Sequence, residues 1–169
     1  MHKLNYLGIG PKIGIVSIPW LLATIIAGSN KFVSFAYSTR NTNTLLLFGI
    51  ALLIIGLILY FTTLKLLLKG IKETRLITTG SYSICQNPIY SVYLLILIPS
   101  LSLIFNSWLI LTSSIVGYIL FKIFIISEYK ELEKIFGLDY LKYKNETAEF
   151  LPCPLKKWIY RLLNISRKK

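Results

Sequence analysis

The chain is short of histidine, cysteine and acid, and each shortage removes a class of chemistry. Its one histidine is His2, at the terminus, so histidine-based acid–base catalysis and most zinc sites are excluded. Cys85 and Cys153 are the only cysteines; they lie far apart and outside any CxxC or Cys/His pattern, so neither a disulfide framework nor a metal site is expected. Asp and Glu total 7 against 19 Lys and Arg, and the formal net charge is +12. Every acidic residue lies at or after Glu73. Charged residues make up only 15% of the chain, hydrophobic residues reach 54%, and the mean hydropathy is +0.64. An average soluble domain does not have this composition; an integral membrane protein does. The lysines cluster at the ends of apolar runs, which fits an anionic lipid surface and not nucleic acid.

What is present is a series of apolar runs. Ile13 to Gly28 follows Lys3 and Lys12 and lacks a small-residue cleavage site, so it reads as an uncleaved first helix continuing past Lys31 to Phe35, with Pro19 kinking it. Thr44 to Leu68 is nearly continuous leucine, isoleucine and phenylalanine, long enough to cross roughly 30 Å of hydrocarbon. Ile89 to Phe105 and Trp108 to Ile126 are separated only by Asn106-Ser107 and must form a tight antiparallel hairpin. Pro99 interrupts the first arm, where side chains such as Ser100 and Ser102 can satisfy the freed backbone. The expectation is one all-α domain over residues 1–169, a membrane bundle of about four spans at 13–35, 44–68, 89–105 and 108–126, with a tail over 128–169.

Lys3, Lys12, Lys69, Lys72, Arg75 and the basic tail lie on one side of this arrangement, so both termini and the loop after the second span are expected in the cytoplasm. Leu132, Ile135 and Phe136 recur at helical spacing after Glu128, and Gly137 reads as a helix stop. Beyond Leu151-Pro152-Cys153-Pro154, the segment Lys156 to Lys169 sets Trp158, Ile159, Leu162 and Leu163 against lysine and arginine, the pattern of an interfacial amphipathic helix that touches anionic lipid.

One uncharged, turn-rich stretch stands apart: Gly80-Ser81-Tyr82-Ser83-Ile84-Cys85-Gln86-Asn87-Pro88-Ile89-Tyr90. Gly80 permits backbone angles that side chains forbid, and Asn87-Pro88 is a turn signal. Each arm of the following hairpin is roughly 17 to 20 residues, so both arms cross the same thickness. Tyr90 at its start and Glu128 at its end must therefore come close together, at the cytoplasmic rim. On the residues alone, Glu128 reads equally as the first solvated residue after a span.

In order, Thr79-Gly80-Ser81-Tyr82, Asn87-Pro88-Ile89-Tyr90, Glu128 with Leu132, Phe136-Gly137, Tyr140 and Tyr143, and Leu151-Pro152 resemble the signature of the isoprenylcysteine carboxyl methyltransferase and phospholipid methyltransferase superfamily. The match runs from about Thr74 to Pro154. This resemblance implies a membrane methyltransferase that uses S-adenosylmethionine in a cytoplasm-facing pocket and methylates a lipophilic acceptor: a prenylcysteine carboxylate, a phospholipid amine, a thiol or a similar group. It implies that Thr74, Arg75, Leu76 and Ile77 line the adenosine side, that Tyr82, Asn87, Pro88, Ile89 and Tyr90 contact the cofactor, and that Glu128 is its acidic ligand. No catalytic residue is assigned.

Where the pattern is departed from, the substrate side is affected. Gln86 replaces the usual arginine before Asn87-Pro88, Val92 a common glycine, Tyr129 the second acid of a Glu-Glu pair, and Phe124 an arginine one turn before Glu128, leaving Lys122 as the nearest cation. Losing that arginine weakens the case for a carboxylate acceptor. Two other readings stay open at this level: an NADPH-dependent membrane reductase of the sterol reductase type, and a degenerate, non-catalytic membrane protein.

Overall fold

A computed structural model of the chain describes residues 8–28, 35–37 and 40–150. Four helical stretches build it: α1 (Gly10–Gly28), α2 (Thr42–Lys72), α3 (Pro88–Ile104) and α4 (Thr112–Glu146). Among the described residues, the sole strand-like feature is an isolated parallel bridge between Cys85 and Ala148. The protein is an all-α integral membrane bundle. Three stretches are long and apolar enough to cross a bilayer: Gly10–Gly28, Thr42–Lys72 and Trp108–Glu146, whose first turn is a 3-10 turn at Trp108–Leu111. The shorter α3 has an apolar run of 17 residues or fewer. Leucine, isoleucine and phenylalanine cover the outer faces of α1, α2 and α4, as expected where lipid is the solvent.

Small residues decide how the helices approach. Gly49, Gly56, Thr63 and Gly70 recur every seven residues along α2 and are its buried positions. A Cβ added at Gly56 would lie 2.6 Å from the Leu97 side chain, and one at Gly49 would lie 2.9 Å from that of Ile104. The stripe thus lets α3 lie against α2 at a distance that larger residues forbid. On α4, Gly117 does the same for Leu94, with a built Cβ 2.6 Å from Leu94 Cδ2.

Within α3, Tyr93–Leu97 forms a π turn, and the Ile98 N–H donates to the Tyr93 carbonyl. In that register the residue facing the Leu94 carbonyl is Pro99, which has no N–H. Ser114 on α4 supplies the missing donor, its Oγ 2.7 Å from Leu94 O. The sequence suggested Ser100 and Ser102 for this task. Ser100 instead bonds Leu97 O, and Ser102 bonds Ser107 O across the hairpin turn at 2.9 Å. Asn106 makes that turn with φ 47°, a conformation that asparagine tolerates better than most residues.

α1 packs on α4 and on the Trp108 turn, whereas α2 packs on α3. Thr24 and Ser113 share a buried hydrogen bond of 3.1 Å, and Trp20 Nε1 donates to Thr112 Oγ1 at 3.3 Å. Two expectations change. α1 ends at Gly28, not near Phe35, and Phe35 is non-helical, its carbonyl accepting the Trp108 N–H at 3.0 Å. Gly137 does not end the last helix but breaks it, with φ 53° and ψ −125°, and the chain resumes helix to Glu146. The residues from Leu151 to Lys169, including the expected amphipathic segment, lie outside the described residues.

Candidate functional site

The loop between α2 and α3 is built as a rigid frame. Thr74 turns the chain with φ 49°, and the Arg75 N–H reaches back to Gly70 O at 3.0 Å. Gly80, with φ 63°, then starts a 3-10 turn over Gly80–Ser83, and Thr63 of α2 donates to Ser81 Oγ at 3.0 Å. Asn87 precedes Pro88, which takes the first helical position of α3, where its missing N–H costs nothing.

A second segment straps this loop from behind. The Gln86 N–H donates to Ala148 O at 2.8 Å. The Asn87 amide donates to Tyr129 Oη at 2.6 Å and to Glu149 O at 3.0 Å, and Tyr129 Oη donates to Glu149 Oε1 at 3.1 Å. The Tyr143 hydroxyl donates to the Tyr82 carbonyl at 2.8 Å. Each backbone group that could slacken the loop is therefore tied to the last helix or to the residues just after it.

Frame, helices and strap enclose a cavity of about 530 Å³. One part is apolar and lies between α1 and α2, walled by Ile13, Gly14 and Ile18 on one side and by Leu64, Leu67 and Leu68 on the other. The other part is aromatic and polar: Tyr82, Tyr90, Tyr129, Tyr140 and Tyr143 surround it together with Glu128, Glu131, Gln86 and Asn87. A volume of this size is in the range that holds a small organic ligand. Burial, with the charge of Glu128 second, pushes the Tyr82 hydroxyl above its ordinary range, so it stays a neutral donor.

Glu128 is half-buried at the meeting point of the two parts. Its Oε2 accepts the N–H of Ile9, just before the first residue of α1, at 3.2 Å. A carboxylate there also complements the positive end of the α1 dipole. Gly8, with φ 50°, lies against the same oxygen: a Cβ would come within 2.9 Å of Oε2.

Of the residues singled out by the sequence, Arg75, Leu76, Ile77, Tyr82, Gln86, Asn87, Ile89, Tyr90, Glu128 and Tyr129 border this cavity. Thr74 faces a separate shallow hollow with Asp139 and Lys142, and Pro88 is buried beneath the wall. Lys122 and Phe124 are elsewhere. Lys122 pairs with the Glu149 carboxylate, and Phe124 packs with Ile9, Ile13, Phe121 and Ile125. Sequence reasoning missed the α1 wall and the wall from Tyr140. Gly8, Gly10 and Gly14 were a readable signal for close approach at the first. Gly137, read as a stop, concealed the second.

A family model described as phospholipid methyltransferase matches residues 44–139, more than half of the chain and most of the frame, α3 and α4. Neither a curated protein nor a solved structure matches.

Proposed function

Because the chain belongs to the phospholipid methyltransferase family, we propose that it transfers a methyl group from S-adenosylmethionine to a lipophilic acceptor drawn from the bilayer, in a pocket at the cytoplasmic face with both termini on that side. The observation that carries this reading is the two-part cavity: a carboxylate and tyrosine faces at one end, continuous with an apolar passage between α1 and α2. A ligand with a nucleoside, a cation and a reactive centre suits the first part. A hydrocarbon chain suits the second.

The residues fit this cofactor. Glu128 keeps Oε1 beside the oxygen that Ile9 holds, so it can receive an ammonium or hydroxyl through a charge-assisted hydrogen bond. Tyrosine faces attract a sulfonium or ammonium cation. When bound, S-adenosylmethionine supplies a methyl group already activated on a sulfonium. Positioning is then most of what the chain must do, and the tied frame of Gly80 to Tyr90 supports that role. The strap and the tyrosine wall also limit water around the reacting centre.

Charge around the cavity bears on the acceptor. Glu128 and Glu131 border it, and its one bordering cation among the described residues, Arg75, pairs with Glu73 at 2.6 Å. Lys122 is held by Glu149. This balance favours a neutral or cationic acceptor, such as a lipid amine, over a carboxylate. Lys65, Lys69 and Lys72 at the end of α2 support a cytoplasmic, anionic-lipid setting for this end.

Calorimetry on detergent-purified protein tests the proposal. S-adenosylmethionine should bind, and Glu128→Ala should weaken binding at least tenfold, the loss of about one charge-assisted hydrogen bond. Wild-type protein that binds no cofactor, or that binds NADPH in its place, overturns it. A screen of amine, thiol, hydroxyl and carboxylate lipids against labelled cofactor then identifies the acceptor.

A further inference from the structure

Two buried polar atoms on the cavity wall have no hydrogen-bond partner among the described residues: Gln86 Oε1 and Tyr140 Oη. The residues are 9% and 1% exposed, and both border the cavity. An unpaired buried acceptor or donor costs free energy that a ligand group can recover. Here the two atoms are close in the fold. Gln86 Nε2 donates to Lys144 O at 3.0 Å, and Lys144 lies one helical turn beyond Tyr140, with its ammonium 5.9 Å from the centre of the Tyr140 ring.

The amide cannot turn over to change what it offers. Gln86 Nε2 faces two carbonyls, Lys144 O and Thr147 O, the second at 2.6 Å. Only the NH2 group can satisfy both, so Oε1 is fixed as an acceptor. The Tyr140 hydroxyl can donate. Together they offer one acceptor and one donor, without charge, in the aromatic part of the cavity. Glu128 suits a cation and the α1–α2 passage suits a hydrocarbon chain, which leaves a planar, neutral group for this part.

Resting on the methyltransferase reading above, we propose that Gln86 and Tyr140 form the base-reading subsite of the cofactor pocket: Gln86 Oε1 accepts from the adenine amino group and Tyr140 Oη donates to the neighbouring ring nitrogen. A purine that carries a carbonyl in place of that amino group sets acceptor against acceptor at Gln86 and is rejected. Gln86 is then a specificity residue, doing with a neutral acceptor what a cationic side chain at that position cannot do.

The test is binding and thermal stability of the full chain in detergent, with S-adenosylhomocysteine and its inosine analogue as probes. Wild-type protein should prefer the adenine form by at least about tenfold, the loss from leaving one buried group unpaired. Tyr140→Phe should weaken S-adenosylhomocysteine several-fold while the melting temperature of the ligand-free protein stays the same or rises, because an unpaired hydroxyl has been removed. Gln86→Met should abolish the preference for adenine. Equal binding of the two probes by the wild type, or Tyr140→Phe with unchanged affinity or with a lowered ligand-free melting temperature, overturns the subsite while leaving the cofactor reading intact. Binding of neither probe overturns both. If Gln86→Met does not fold, the wild-type comparison and Tyr140→Phe decide the matter.

Discussion

The Ile9 N–H donates to Glu128 Oε2 at 3.2 Å, joining the first turn of the first span to the inner end of the last one across 119 residues of sequence. This bond fixes one carboxylate oxygen and the plane of the group, so the direction in which the other oxygen points is set by α1.

Gly8 is the residue that allows it. Alanine there would place a Cβ 2.9 Å from Oε2 in a backbone with φ 50°. The left-handed conformation alone costs an L-residue about 1–2 kcal/mol. Gly8→Ala should therefore weaken cofactor binding by roughly 5- to 30-fold, measured by calorimetry, with little change in helix content by circular dichroism. Unchanged affinity would show that α1 does not orient Glu128.

A second expectation concerns the glycine stripe on α2. A methyl group at Gly56 would meet Leu97 Cδ2 at 2.6 Å, so Gly56→Ala must push α3 away or force Leu97 out of its rotamer. Overpacking of this kind costs about 1–3 kcal/mol. Thermal unfolding in detergent should show the loss, and Leu97→Ala in the same chain should return part of it, because the two sites share one contact. Additive losses in the double variant would contradict the packing described.

Ser114 gives a cleaner case, since its hydroxyl serves a carbonyl that α3 itself cannot satisfy. Ser114→Ala should destabilise by about 0.6–1.7 kcal/mol, the range for hydrogen bonds between membrane helices. Ser114→Thr, which keeps the hydroxyl, should be close to wild type. The readout is the unfolding midpoint in a denaturing detergent; equal midpoints for alanine and wild type would remove Ser114 from this role.

The apolar runs made the spans legible, because bilayer thickness sets their length and few other structures need such composition. The closeness of Tyr90 to Glu128 followed from two arms of similar length joined by Asn106-Ser107, and both residues border the one cavity. Contacts between elements distant in sequence were not legible. Nothing local in Pro99 names Ser114 as its compensating neighbour, and nothing in Lys122 names Glu149. The seven-residue recurrence of Gly49, Gly56, Thr63 and Gly70 was readable, but its partner helix was not. Gly8 was read as part of a charged flank, because flanking lysines dominate a topology argument and say nothing about backbone contacts.

Gly137 shows how one backbone angle controls the site. It was expected to end the helix, since a glycine after an apolar stripe is the usual stop, yet it acts as a hinge between two helical pieces with φ 53° and ψ −125°. A Cβ at this position would meet nothing within 4 Å, so no neighbour resists substitution and only the backbone does. Gly137→Ala therefore favours straightening the helix, at a cost of about 1–3 kcal/mol if the kink is kept. Straightening would rotate the piece that carries Tyr140 and Tyr143 and break the Tyr143 bond to the Tyr82 carbonyl. The expected result is a loss of cofactor affinity of at least tenfold, together with an equal or higher helix signal by circular dichroism. Weaker binding with a reduced helix signal would instead mean that the last helix has unfolded, and the hinge account would fail.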